Sequence, residues 1–414
     1  MMTSAEATTL AAGTGLESAK EAIPTEADLV ERARALLPML RERAAQTHEQ
    51  GNVPVETMDA LKRAGLFRIV RPKRYGGYEM HPAALYEVQM VLAEACMSTA
   101  WVQGLLAVHD FQLALFDDRA QAEVWGSNPD ALVSSTYQPV GKVDRIDGGY
   151  RLSGHWRFSS GAQHADWIFL GSIVQPETAD ARPDLLTFLL PRSDYKVIEG
   201  SWKVFGLQGT GSLDIVVEDA FIPEYRTHSM TDGFEIDNQK GLLVNTAPLF
   251  RLPWGQLFAR IVSSAQIGSL KGAHDAFVEI ASKRVSRADG TVMAESVSAM
   301  RTAARVASDI AEMRGTLRSS FDAMLHHAET SGMIPMDERL RYRYEAGTIA
   351  RRCARAVDSM MEILGTAGID SASPVLPFWR DIMASRAHFA NNPDNIEGSA
   401  GGHILGRPSM ERFC

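Results

Sequence analysis

GYRLSGHWRF (149–158) and DWIFLGSIV (166–174) decide the fold. Both runs are short, rich in aromatic and β-branched residues, and bounded by turn chemistry, as half-buried strands are. Asp147-Gly148-Gly149 supplies a tight turn before the first. Outward from this pair, ALVSSTY (131–137), DLLTFLLP (184–191), YKVIEGSW (195–202) and LDIVVEDAFIP (213–223) repeat the pattern. No long helical pattern intervenes, so residues 127–232 predict an antiparallel β-domain, a barrel or sandwich, and not a set of βαβ units.

Helical patterns flank this core. In the N-terminal domain expected over 25–126, Thr25 and Asp28 read as a capping box, followed by Leu29, Leu36, Leu37 and Leu40. Pro38 falls inside that pattern and predicts a kink or break. PVETMDALKRAGL (54–66) opens on proline and has glycine near its end, the usual helix asymmetry. Pro82 to Phe116 is apolar on most sides, which predicts one or two buried helices. From 233 to 414, candidate helices at 254–284, 292–330, 336–364 and 376–390 with short connections predict a bundle. Residues 1–24 lack a basic start and an apolar run, and predict a disordered leader.

Composition narrows the function. A net charge of −9 argues against nucleic-acid or anionic-membrane partners. Cys96, Cys353 and Cys414 share no ligand spacing, which predicts a reducing, cytoplasmic setting and no metal site. No stretch reaches the roughly 18 apolar residues of a spanning helix. There is no Walker loop, and no GxGxxG follows a strand; GLQGTGS (206–212) lies between strands and reads as a turn.

GHWRFSSGAQHADWIFLGSI (154–173), VFGLQGTGSLDIVVEDAFIP (204–223), EILGTAGI (362–369) and FWRD (378–381) together resemble the acyl-CoA dehydrogenase fold. That resemblance implies an α+β chain: N-terminal helical domain, central antiparallel β-domain over a flavin, and C-terminal four-helix bundle. Common acyl-CoA dehydrogenases carry Tyr-Glu-Gly-Thr at a fixed distance after the Arg-Asp pair. The same distance from Arg380-Asp381 falls on His388-Phe389, where no carboxylate base is present. Glu397-Gly398-Ser399 looks like the motif but comes eight residues too late, beyond Pro393. RDIMASRAHFANNPD (380–394), STAWVQGLLAVHDF (98–111), SSTY (134–137), SSG (159–161) and NTAPLFRLPWG (245–255) are instead similar to the two-component flavin-dependent monooxygenases. Their oxygenase components include those acting on 4-hydroxyphenylacetate and on a phenolic secosteroid.

Such an enzyme takes reduced FMN or FAD from a separate NAD(P)H-dependent reductase. It forms a flavin hydroperoxide at carbon 4a with O2 and passes oxygen to a small aromatic ring. The resemblance gives His109 the activation of a phenol, with Ser135 orienting the same oxygen. An imidazole near neutral pKa suits a base for that task. Ser160 falls to flavin nitrogen-5, Trp101 and Phe158 to the pocket wall, and Arg251, or its rival Arg260, to a flavin phosphate. Gly365 and Thr366 fall near the flavin of a neighbouring subunit, which implies a homotetramer. His388, expected near a helix C-terminus, becomes a cationic or readily protonated donor toward the hydroperoxide. The alternatives are oxygenation at nitrogen, sulfur or an indole carbon on the same scaffold, or a true acyl-CoA dehydrogenase.

Overall fold

A computed structural model describes residues 22–175, 183–236, 238–285, 290–409, 411 and 413–414. The expected leader falls outside the described residues apart from 22–24. Five helices come first: α1 (Glu26–Gln50), α2 (Val55–Arg63), α3 (Ala83–Ala93), α4 (Met97–Leu113) and α5 (Asp118–Trp125). Thr25 and Asp28 form the expected capping box. Pro38 sits inside α1 without ending it, so of the expected kink or break the break does not occur. An interior proline costs about 3 kcal/mol, whereas Leu29, Leu37 and Leu40 are buried on the same helix. Each such leucine contributes about 1.5–3 kcal/mol, so packing wins.

The β-domain holds β1 (Val133–Thr136), β2 (Lys142–Ile146), β3 (Gly149–Ser159), β4 (Trp167–Val174), β5 (Asp184–Pro191), β6 (Lys196–Ile198), β7 (Leu213–Pro223) and β8 (Thr227–Ser229). They make two four-stranded sheets, ordered β1-β4-β5-β8 and β2-β3-β7-β6. The pairing is antiparallel except at one place: β1 runs parallel to β4, Val133 opposite Trp167. The hydrophobic alternation that marks a strand carries no information about direction, so sequence could not set this edge apart. Trp156, Ile168, Phe188 and Ile215 fill the space between the sheets.

Then follow α6 (Met230–Glu235), α7 (Trp254–Lys283), α8 (Val297–Thr330), α9 (Met336–Leu364), α10 (Thr366–Ile369), α11 (Leu376–Ser385) and α12 (Asp394–Ile404). Helices α7, α8, α9 and α11 form the bundle. Helix α7 is buried without a break from Trp254 to Leu270 and packs on α3 and α4 as well as α9. It therefore joins the bundle to the N-terminal helices. Gly268 permits the approach to α3: a Cβ there would meet the Met90 carbonyl at 2.0 Å. The predicted 376–390 helix stops at Ser385, and a separate helix, α12, follows Pro393. Glu397 lies on α12 facing Arg351 at 3.5 Å near solvent, so it is no buried base.

Candidate active site

Helix α4 is buried along its whole length. It carries Trp101 and His109 into a chamber walled by Tyr137, Phe169, Trp254 and Phe258. His109 lies 6.2 Å from Tyr137, 5.7 Å from Phe169 and 6.2 Å from Trp254, centroid to centroid. Trp254 meets Phe258 at 5.5 Å, and Phe258 meets His388 at 5.8 Å. The circuit returns to α4 through Trp101, 5.9 Å from His388. Phe413 closes one side, 5.7 Å from Phe258 and 5.4 Å from Phe389. Its neighbour Cys414 is held by Arg339, whose Nε donates to the Cys414 carbonyl at 3.0 Å.

His109 Nδ1 is 2.6 Å from the Val133 carbonyl. A carbonyl only accepts, so Nδ1 carries the hydrogen and Nε2 is left with a lone pair. That Nε2 is buried without a partner in the protein. Burial pushes the imidazole down to about 4, only partly opposed by the Val133 bond, so it is neutral at pH 7. Next to it, Asp110 forms a buried pair with Arg71, Nε to Oδ2 2.6 Å. Arg71 also donates to the carbonyls of Pro129 and Ala131, just before β1. This strut fixes α4 against the strand that holds His109.

His388 departs from expectation. It follows the end of α11 and caps a 3-10 turn at Phe389–Asn391, with Nδ1 accepting from the Ala390 N–H at 3.2 Å. Nδ1 therefore lacks hydrogen, and Nε2–H is the donor. Burial, then the positive Arg343, push this imidazole down to about 4. Arg343 is itself buried and donates to the Ala390 carbonyl at 3.0 Å. No cationic histidine results; the group is a neutral donor.

Ser160 follows the end of β3 and accepts from Trp101 Nε1 at 3.2 Å. Its hydroxyl meets Ser212 at 2.7 Å, and Ser212 meets Thr210 at 2.7 Å. These two residues belong to the glycine-rich turn at 206–212, whose Leu207 N–H donates to buried Asp381 at 2.6 Å. The Arg-Asp landmark thus has a structural task, anchoring the turn to α11. Gly206 allows this contact, since a Cβ there would lie 2.1 Å from the Arg380 carbonyl.

The remaining residues fall outside the chamber. Phe158 sits at a register shift in β3 with φ 69°, is 45% exposed, and packs edge-on against Trp202 at 5.9 Å. Arg260 is fully buried in the bundle, donating to Ser320 at 3.2 Å and the Tyr342 carbonyl at 3.1 Å. That removes it as a phosphate contact. Arg251, Gly365 and Thr366 are exposed. Ser135 faces the chamber side of β1 with Tyr137, two residues on. Sequence reasoning missed Tyr137, Gln112, Trp254, Phe258 and Phe413. Gln112 follows His109 by three residues, and Phe258 follows Trp254 by four, so helical spacing could have flagged both. Nothing local marks Phe413.

The residue types beside the Ser160 turn suit a flat aromatic ring. Phe158 and Phe205, 45% and 58% exposed, leave apolar surface for a flat ring next to buried hydroxyls. Among the described residues, no group of three or more His, Cys, Asp or Glu could hold a metal ion.

The chain matches the acyl-CoA dehydrogenase N-terminal domain over residues 24–125 and the C-terminal domain over 261–393. It belongs to the oxygenase components of the two-component flavin-dependent monooxygenases, a branch of the acyl-CoA dehydrogenase fold superfamily that works on aromatic substrates with reduced flavin and O2. Within that family, it is 37% identical over 385 residues to the flavin-dependent monooxygenase oxygenase subunit HsaA of Rhodococcus jostii, covering 92% of this chain and 98% of that one. The oxygenase component of an FADH2-dependent resorcinol hydroxylase from a Rhizobium species is 33% identical, covering 91% and 94%. The crystal structure of 3-HSA hydroxylase from Rhodococcus sp. RHA1 superposes with a TM-score of 0.88 at 36% identity, covering 94% and 99%. The expected architecture and class of enzyme are therefore correct.

Proposed function

We propose that this oxygenase hydroxylates the ring of a small phenol, and that His109 receives the phenolic hydrogen bond. The observation that carries the proposal is the buried, unpartnered lone pair on His109 Nε2. A buried acceptor without a partner costs about 1–3 kcal/mol, and a phenolic O–H would remove that cost on binding. With its imidazole held down to about 4 by burial, Nε2 accepts the phenolic hydrogen without taking the proton, which orients the ring and polarises its O–H for electrophilic oxygenation. Two relatives act on phenols by name, resorcinol and p-hydroxyphenylacetate.

Reduced flavin, when bound, supplies the electrons that activate O2. The protein's part is to orient and to keep water out. Ser135 would orient the phenolic oxygen from β1. His388 would direct its Nε2–H toward the oxygen-reacting side, and Trp101 with Phe258 would exclude water between the two imidazoles. Arg251 would meet a flavin phosphate, and Gly365 with Thr366 would serve a neighbouring subunit's site in a homotetramer. A separate NAD(P)H-dependent reductase would deliver the flavin as reduced FMN or FAD. We also place the protein in the cytoplasm, where its three unpaired cysteines would stay reduced. No described helix is long and apolar enough to cross a membrane.

The test is anaerobic loading with reduced FMN or FAD, followed by oxygen and a monohydric phenol. Catechol formed in step with flavin oxidation is the expected result. Flavin oxidation that yields only hydrogen peroxide across a panel of phenols would overturn the proposal.

A further inference from the structure

Five polar groups form one chain that ends in the glycine-rich turn at 206–212, where its last acceptor, the Leu207 carbonyl, also takes the Thr210 backbone N–H at 3.2 Å. Trp101 Nε1 meets Ser160 at 3.2 Å, Ser160 meets Ser212 at 2.7 Å, Ser212 meets Thr210 at 2.7 Å, and Thr210 meets the Leu207 carbonyl at 2.9 Å. The hydroxyl hydrogens are fixed by counting. An indole N–H can only donate and a carbonyl can only accept, so both ends have a known sense. Four links need four hydrogens, and the chain owns four: one on Trp101 and one on each hydroxyl. Thr210 must spend its hydrogen on Leu207, Ser212 on Thr210, and Ser160 on Ser212. Leu207 is pinned on both sides: its N–H donates to Asp381, and its carbonyl accepts from Trp202 Nε1 at 2.9 Å. Hydrogen bonds aligned in one sense strengthen one another, which favours this arrangement over a partly reversed one.

Ser160 therefore has no hydrogen left for a ligand. One lone pair takes the Trp101 N–H, and the other is free. We propose that this relay makes Ser160 an obligate acceptor, and that Ser212 and Thr210 are positioning residues by which the protein distinguishes reduced from oxidised flavin. The inference rests on the placing of Ser160 beside nitrogen-5 that the family resemblance implies. Reduced flavin carries N–H at that nitrogen and suits an acceptor. Oxidised flavin presents only a lone pair there, which faces the lone pair of Ser160. A serine with a free hydrogen would turn to suit either form and would discriminate between neither.

The test is the ratio of dissociation constants for oxidised and reduced FMN or FAD, measured by anaerobic equilibrium titration without oxygen or substrate. Wild-type protein should bind the reduced form more tightly. Thr210→Val keeps the shape but deletes the terminal donor. Ser212 can then turn its hydrogen back to Ser160, whose own hydrogen is released into the site. The ratio should fall by about tenfold, the worth of one neutral hydrogen bond gained by one form and lost by the other. Much of that change should come as tighter binding of oxidised flavin, which a merely structural defect would not produce. Thr210→Ser should restore the wild-type ratio, and Ser212→Ala should lower it by removing the acceptor of the Ser160 hydrogen. A wild-type ratio in both Thr210→Val and Ser212→Ala overturns the relay. Failure of the wild-type protein to bind either flavin form overturns the placing of Ser160 itself, a different and recognisable result.

Discussion

The imidazole on α4 and the imidazole after α11 share one aromatic chamber, yet their backbone partners are of opposite kind. His109 is held by a carbonyl at 2.6 Å and offers a bare nitrogen; His388 is held by an amide N–H at 3.2 Å and offers N–H. Both are pushed down to about 4, chiefly by burial, so the difference between them is tautomer and not charge. A single residue type thus supplies an acceptor at one end and a donor at the other, with no net charge to solvate in a dry pocket. Two cationic histidines would repel one another and would hold water. The expectation of a protonated His388 failed because α11 ends three residues earlier, so the ring meets an N–H where a helix terminus would have presented carbonyls.

The largest break in this comparison should come from His109→Asn. The amide nitrogen of asparagine matches Nδ1 and can still donate to the Val133 carbonyl, while the Nε2 acceptor disappears. Hydroxylation per reduced flavin should fall by about 10- to 100-fold, the worth of a buried hydrogen-bond acceptor at about 1–3 kcal/mol, with the fold intact by circular dichroism. A loss below threefold would remove His109 from the reacting centre.

The same substitution sharpens the comparison through pH. The folded pKa of His109 is depressed to about 4 from 6.5, so the unfolded chain binds the proton more readily. Its full contribution to stability is present above about pH 7 and is lost as pH falls through 6.5 toward 4. From pH 7.5 to 5 that loss is about 2 kcal/mol, from a shift of roughly 1.4 kcal/mol per pH unit. Unfolding free energies from urea titrations at the two pH values should differ by that much less in His109→Asn. Equal pH dependence in the two proteins would show that the ring is not buried neutral. His48 has the opposite sign: burial opposes its charge, but the Asp381 carboxylate wins and raises its pKa. Its contribution is therefore lost on the alkaline side.

His388 should matter less, because it contributes one neutral donor. His388→Asn keeps an acceptor for the Ala390 N–H but loses the donor, whereas His388→Gln places an amide N–H near the lost Nε2 position. Coupling of flavin oxidation to product should drop about tenfold in the first and recover in the second. Equal coupling in both variants would mean that the Nε2–H has no partner in the reaction.

This order of effects also explains what could be read from sequence. Alternation in 149–174 and long helical repeats after 233 report local periodicity, so the layers were legible. The parallel β1–β4 pair, the uninterrupted α1 and the separate α12 depend on packing, which no local pattern records. At the site, Trp101, His109, Ser160 and His388 stood out because polar or aromatic residues occupied recognisable motifs. Their tautomers and hydrogen directions were illegible, being set by backbone groups at Val133 and Ala390 and by hydroxyls of a turn remote in sequence. Arg260 misled for the same reason: its charge is plain in the sequence, but its burial against Ser320 and Tyr342 is not.

The smallest expected effect belongs to Ser135. It shares a strand face with Tyr137, whose phenol donates to Gln112 at 2.5 Å. Burial holds that phenol well above its usual range, and the Ser135 hydroxyl lowers it only in part. Whatever Ser135 gives the substrate is one neutral bond already present before reaction, which is uniform binding and not transition-state stabilisation. Ser135→Ala should raise KM for a phenol about two- to tenfold and leave kcat nearly unchanged. A hundredfold fall in kcat would instead put Ser135 beside His109, and the acceptor wall would then be a pair of groups where the tautomer argument needs only one.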